Sequence, residues 1–154
     1  MFSYYADSMF GKLARFLRML GFDTKYRKEE TVDEMLDLSK LEGRVVLSSS
    51  AMVNSKCKKL RIQSIKLSST DISEQLEEVE KTLDFIIPFP PKKFRCSLCN
   101  GNLTSVNKSS ILDRIPEGTS KTYEEFWECE SCSQIFWLGS HWEDIKRILQ
   151  ERDK

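Results

Sequence analysis

Apolar positions along the first half of the chain change their period repeatedly, and each change marks an element. Met1 to Ala6 is an apolar, strand-like stretch that ends on Asp7. From there Met9, Leu13, Phe16, Leu17 and Leu20 recur at helical spacing, Lys12, Arg15 and Arg18 fall on the other face, and Gly21 is a natural stop. Phe22 to Tyr26 reads as a short strand. Thr31 followed by Glu34 is a capping-box pattern. It opens a helix with Val32, Met35, Leu36 and Leu38 on its apolar side, ended by Gly43. Arg44 to Ser48 and Ile62 to Leu67 read as buried strands, and Asp71 with Glu74 caps a further helix carrying Leu76, Val79 and Leu83. Strands alternating with helices predict an α/β fold, a parallel sheet covered by helices. Ligands of such sheets sit beyond the carboxyl ends of the strands. That rule gathers Asp7, the Ser48–Ser50 turn and Asp71 on one edge.

The pattern breaks at Pro88, Pro90 and Pro91, which cannot occupy a helix interior or a central strand. Residues 88–93 therefore read as a stiff linker between a domain over 1–87 and a smaller module over 94–154. The second module is anchored by Cys96-x-x-Cys99 and Cys129-x-x-Cys132, two pairs separated by 29 residues. Each pair can place two thiolates about a tetrahedron, and two pairs close a four-sulfur shell with Zn–S near ~2.3 Å. A shell with no open position predicts a structural zinc, which can supply on the order of 10 kcal/mol to a piece with little core. Iron is the alternative for the same ligands. Asn100-Gly101 after the first pair reads as the knuckle turn, and Trp142, Ile145, Ile148 and Leu149 suggest a closing amphipathic helix.

Composition narrows the partners. The 154 residues carry 24 basic and 24 acidic side chains, with 14 of each sign up to Phe89 and 10 of each after it. Neither piece is a polycation, so any nucleic-acid contact must come from local patches. Arg15, Arg18, Lys58 and Lys59 are the candidates for phosphate contact. The aromatics Phe126, Trp127, Phe136, Trp137 and Trp142 can stack on bases but are first needed as the core of a thin module. No run approaches ~18 apolar residues, so no membrane span is expected. The charged N-terminus is not a secretory signal, and the five cysteines suit a reducing compartment; the expectation is a cytoplasmic protein. Cys57 reads as a bystander and His141 as a packing or hydrogen-bonding residue at the junction.

Carboxylates on a sheet edge can hold Mg²⁺ or Mn²⁺ for phosphodiester cleavage. Asp7 has no evident structural task. Asp33 and Asp71 each have one, in the first turn of a helix and as an N-cap.

The segment from Asp7 through Gly11-Lys12-Leu13-Ala14-Arg15 to Asp23 resembles the M-L-G-K-L-A-R-W-L-R-x-L-G-Y-D motif, preceded by a strand-end Asp, of the Mut-seven C-terminal RNase domain family. The likeness continues in Glu42 to Ser48, Glu74 to Leu76, Arg95 to Leu103 and Phe126 to Trp142. The resemblance implies a PIN-like three-layer domain followed by a zinc ribbon, acting on single-stranded RNA or a ribonucleoprotein, with acids around Mg or Mn. By position, Asp7 matches the first acid, Asp33 the second and Asp71 the last. Where the family ends its central strand T-R-D, this chain has Ser48-Ser49-Ser50, so Ser50 stands at the position of a missing acid. An uncharged hydroxyl is a poor Mg²⁺ ligand. The expectation is an RNA-binding protein derived from a ribonuclease and catalytically weakened, with an active endoribonuclease as alternative and a protein–protein adaptor as a third class.

Overall fold

Three- and four-residue strands survive here because the two central ones are covered on both faces, so each of their side chains finds a core whichever way it points. A computed structural model describes residues 1–152. Its first module runs β1 (Tyr4–Ala6), α1 (Gly11–Met19), β2 (Thr24–Tyr26), α2 (Val32–Glu42), β3 (Val45–Ser48), α3 (Ala51–Leu60), β4 (Ser64–Lys66) and α4 (Ile72–Leu83). The four strands are parallel in the order β2-β1-β3-β4. Tyr4, Ala6, Val45 and Leu47 point to one face, where Leu13 and Leu17 of α1 and Leu76 and Val79 of α4 cover them. Tyr5 and Val46 point to the other, against Met35 and Leu36 of α2 and Val53 and Cys57 of α3. This is the expected α/β architecture in three layers. Leu13 and Leu17 are fully buried, and each contributes roughly 1.5–3 kcal/mol by leaving water.

The capping signals act as expected. Thr31 and Glu34 form a reciprocal capping box, Gly43 ends α2 at φ 68°, and the Asp71 carboxylate accepts from the Glu74 N–H. Two local expectations fail. Met9 is 80% exposed because Ser8–Phe10 is a 3₁₀ turn, and Phe10 takes the inward position instead. Arg18, expected on the solvent face with Lys12 and Arg15, is 5% exposed.

The second module comprises β5 (Leu103–Val106), α5 (Glu117–Thr122), β6 (Phe126–Cys129), β7 (Ile135–Phe136) and α6 (Ser140–Arg152). Its antiparallel sheet, β5-β6-β7, closes over Ile111, Ile115, Phe126 and Ile135. The expected boundary assigns α6 to this ribbon, but Ile145 and Leu149 are buried in the core of the first module. The linker is likewise packed. Ile87 is 3% exposed, Phe89 stacks on Trp142 at 5.5 Å, and the Lys93 carbonyl passes 2.5 Å from where a Cβ on Gly21 would sit. Gly21, at φ 92°, is required by that approach as well as by its backbone conformation.

Polar contacts complete the joint. Asn100, at φ 72° in the knuckle, accepts from the Thr24 N–H at 2.9 Å and donates to Asp23 at 2.7 Å. Arg44 makes a two-pronged ion pair with Asp23 at 2.8 and 3.2 Å and also bonds Glu42. The Arg18 guanidinium donates to the Thr24 carbonyl at 2.8 Å and the Ser97 carbonyl at 3.0 Å. The ribbon is thereby attached where β2 and β3 begin, the sheet edge opposite Asp7.

Candidate functional site

In this strand order the chain turns to opposite sides of β1, so the crevice between the carboxyl ends of β1 and β3 is the switch point where open parallel sheets bind ligands. Asp7 and Ser48 meet there. The Asp7 N–H continues the β1–β3 ladder onto the Leu47 carbonyl at 2.9 Å. One carboxylate oxygen of Asp7 accepts from the Ser8 N–H at 2.6 Å and the Ser8 hydroxyl at 3.3 Å. The other accepts from the Ser48 hydroxyl at 2.7 Å. Ser48 Oγ in turn accepts from the Ser50 N–H at 3.1 Å. The Ser50 hydroxyl caps α3, accepting from the Val53 N–H at 3.3 Å. Asn54 closes the turn by donating to the carbonyls of Ser48 and Ser50 at 3.1 and 2.9 Å. The edge is therefore one half-buried carboxylate set in a self-satisfied serine turn, with the N-terminus of α3 beside it.

The other acids named from the sequence have separate partners. Asp33 lies in the first turn of α2 and pairs with Lys56 at 3.4 Å, its side chain 82% exposed. Asp71 is exposed and caps α4 at 3.1 Å from the Glu74 N–H. No hydrogen bond or ion pair described links either of them to Asp7. Among the described residues, the one group of three or more Cys, His, Asp or Glu side chains close enough to share a metal ion is the cysteine quartet. Of the basic residues, Arg15 is exposed on α1, whereas Lys58 and Lys59 are exposed in the last turn of α3, in the opposite helical layer. Arg18 is committed to the joint and is not available to a phosphate, because its partners Ser97 and Leu98 bury it. The reading of Cys57 as a bystander agrees with its burial beside Val53, which pushes its thiol up. His141 is exposed.

The quartet is a candidate metal centre. Cys96, Cys99, Cys129 and Cys132 bring their sulfurs within 4.8 Å of one another, with Cys96–Cys132 at 3.6 Å and Cys99–Cys129 at 3.4 Å. A tetrahedral shell with metal–sulfur bonds of ~2.3 Å separates its sulfurs by about 3.8 Å, so the donor set fits a tetrahedral ion with little movement. The N–H groups of Ser131 and Cys132 point at Cys129 Sγ at 3.4 and 3.5 Å, as a knuckle that stabilises a thiolate. Burial pushes the Cys96 thiol up to about 12. Burial opposes ionisation of Cys129 as well, but the Cys132 and Ser131 N–H groups and the neighbouring thiols outweigh it and bring this group down to about 7. A metal taken up here displaces protons, most clearly from Cys96.

Sequence reasoning did not find Tyr5, whose hydroxyl bonds Glu30 beneath α2, nor Asn54, the residue that fixes the serine turn. Asn54 stands four residues after an N-cap serine, and that spacing was its one available signal.

The family model described as the Mut7-C RNAse domain matches residues 3–149. No curated protein and no solved structure matches the chain. The family match spans both the Asp7 edge and the cysteine quartet, including the motif from Asp7 to Asp23 and both cysteine pairs. The chain belongs to the Mut7-C RNAse domain family.

Proposed function

We propose that this is an RNA-binding protein derived from a metal-dependent PIN-like ribonuclease, its cleavage weakened at Ser50. The observation that carries the reading is the spent state of the serine turn. Ser48 donates to Asp7, and the Ser50 hydroxyl caps α3 where a second carboxylate is expected. The edge offers a hard cation one carboxylate and neutral oxygens, a poorer donor set than Mg²⁺ or Mn²⁺ takes in phosphoryl chemistry. Asp33 and Asp71 are the remaining acids of such a site. Arg15, Lys58 and Lys59 are free to meet phosphates, with RNA or a ribonucleoprotein as the partner.

Zinc is the ion that best suits four thiolates at this spacing, and it gives the ribbon folding energy rather than chemistry. Four reduced thiols suit the cytoplasm. Among the described residues no helix is long and apolar enough to cross a membrane.

The match to an RNAse family across nearly the whole chain favours a second reading, an active endoribonuclease that tolerates Ser50. One experiment separates the two. Zinc-loaded protein is incubated with labelled single-stranded RNA, with and without Mn²⁺, as wild type, Ser50→Asp and Asp7→Asn. No chelator is used, because it would attack the ribbon. Aspartate is as good an N-cap as serine, so Ser50→Asp should keep α3. The proposal expects wild type to bind without cutting in either buffer and Ser50→Asp to gain Mn²⁺-dependent cleavage. Wild-type cleavage lost in Asp7→Asn establishes the nuclease instead, and failure to bind RNA overturns both.

A further inference from the structure

The joint between the modules contains a cleft that the proposed function leaves unused. It is lined by Phe94, Arg95, Trp127, Phe136, Trp137 and Trp142. The β6–β7 register places Trp127 opposite Phe136, while Phe126, one residue earlier, turns into the ribbon's own core. Trp127 and Phe136 are thus on the sheet face that looks away from that core. Phe94 stands nearly perpendicular to both Trp127 and Trp142, with centroids at 5.5 and 5.1 Å, and fixes the two indoles. All five rings are only half-buried. A contact needed merely to glue two modules would be closed over; this one leaves aromatic surface open beside a cation. Arg95 is 28% exposed and sits 4.0 Å from Asp23 while donating to the Asn100 carbonyl at 3.0 Å, which holds the cation at the rim, and no carboxylate lines the cleft itself.

A basic stripe leads to it. Between Asp7 and Asp23 the chain has no acidic residue and three cations. With Arg18 buried, Lys12 and Arg15 are the exposed ones, at i and i+3 on α1, and Met19, at i+7 from Lys12, lines the cleft. Lys12 Nζ lies 5.9 Å from the Phe16 ring, so charge and aromatic surface interleave along the same stripe. A nine-residue helix is about 14 Å long, which sets the distance from the Asp7 end of α1 to the cleft.

We propose that this aromatic cleft is a base-stacking subsite for single-stranded RNA, with the backbone of the RNA running along Lys12 and Arg15 towards the Asp7 edge. This rests on the RNA-binding reading above and names where the strand lies. The chemistry is that of sequence-tolerant single-strand binders: bases stack on aromatic faces while a positive groove follows the phosphates.

The molecule supplies its own reporter, because its three tryptophans all line the cleft. The zinc-loaded protein is titrated with a short end-labelled oligouridylate, following label anisotropy and tryptophan emission together. The expected result is that both signals change over the same concentration range. Arg15→Gln should lower the slope of log affinity against log salt by about one. Trp127→Leu should weaken binding roughly five- to hundredfold. If Trp127→Leu fails to fold, the wild-type emission alone decides. Binding seen by anisotropy with no change in emission overturns the subsite and leaves the RNA-binding reading standing. Binding to Trp127→Leu at wild-type strength does the same. Absence of any binding overturns both.

Discussion

Replacing Asn100 by alanine tests whether the ribbon is attached by specific polar contacts or by general packing. The amide accepts from the N–H of Thr24, a residue with no exposed surface, so its loss leaves a buried donor without a partner, at about 1–3 kcal/mol. It also removes a hydrogen bond to the Asp23 carboxylate. Because that side chain is 33% exposed and keeps Arg44, the loss is discounted to about 1 kcal/mol. Alanine at φ 72° adds up to about 1 kcal/mol of backbone strain. The sum is about 2–5 kcal/mol, a large share of the ~5–15 kcal/mol stability of an ordinary domain. Asn100→Gly removes the strain and should be milder by about 1 kcal/mol. Urea unfolding of the zinc-loaded proteins, followed by far-ultraviolet dichroism, measures both, and the midpoint should fall at unchanged slope. If Asn100→Ala lies within ~0.5 kcal/mol of wild type, as a surface substitution does, the polar attachment contributes nothing. A cycle with Asp23→Ala should show coupling, because the two side chains are in direct contact.

Three other outcomes follow from the same coordinates. The Tyr4 hydroxyl is buried with no hydrogen-bond partner, so Tyr4→Phe should leave stability unchanged or raise it by up to ~1 kcal/mol in the same urea assay; a loss above ~1 kcal/mol means the hydroxyl has a partner. Burial opposes ionisation of Asp23, but hydrogen bonds from Arg44 and Asn100 outweigh it and hold this carboxyl below its usual range. Its contribution is therefore present above the unfolded value of ~3.9 and lost as pH falls through the lower folded value. The stability gap between wild type and Asp23→Asn should accordingly be constant near neutrality and close below about pH 4; a gap that persists under acid refutes the assignment. Treating protein prepared with zinc with a strong chelator should reduce amide protection at Thr24 and Tyr4 as well as in the ribbon, because Asn100 belongs to the knuckle that Cys96 and Cys99 set. Hydrogen exchange confined to residues beyond Phe94 would refute that coupling.

What could be read from the sequence was local. The Thr31–Glu34 box, the Asp71 cap and the Gly43 stop are each written within a few residues, and so is the cysteine spacing. The nearness of Asp7 to Ser48 also followed, because parallel strands end on one edge. Helix α3 was not recognised, since only Val53 and Cys57 of its ten residues are buried and so sparse an apolar stripe gives no period. The inward turn of Arg18 was equally hidden, because beyond the Thr24 carbonyl six residues away its other partners are carbonyls 79 and 80 residues along the chain. Amphipathic spacing announced α6 but could not say which core it enters. For the candidate site, residue types located Asp7 and the uncharged Ser50. The exposed settings of Asp33 and Asp71 depend on how far α2 and α4 start from their strands, which no motif encodes.

The return of α6 has a bearing on how the chain comes into being. Ile145 and Leu149 join the core formed by α1 and α4 over β1, β3 and β4, so that core keeps apolar surface open until α6 has been made. Domains usually condense in order as they leave the ribosome. Here the first module waits for the ribbon to be made and for α6 to reach back, so it cannot finish folding ahead of the module that follows it.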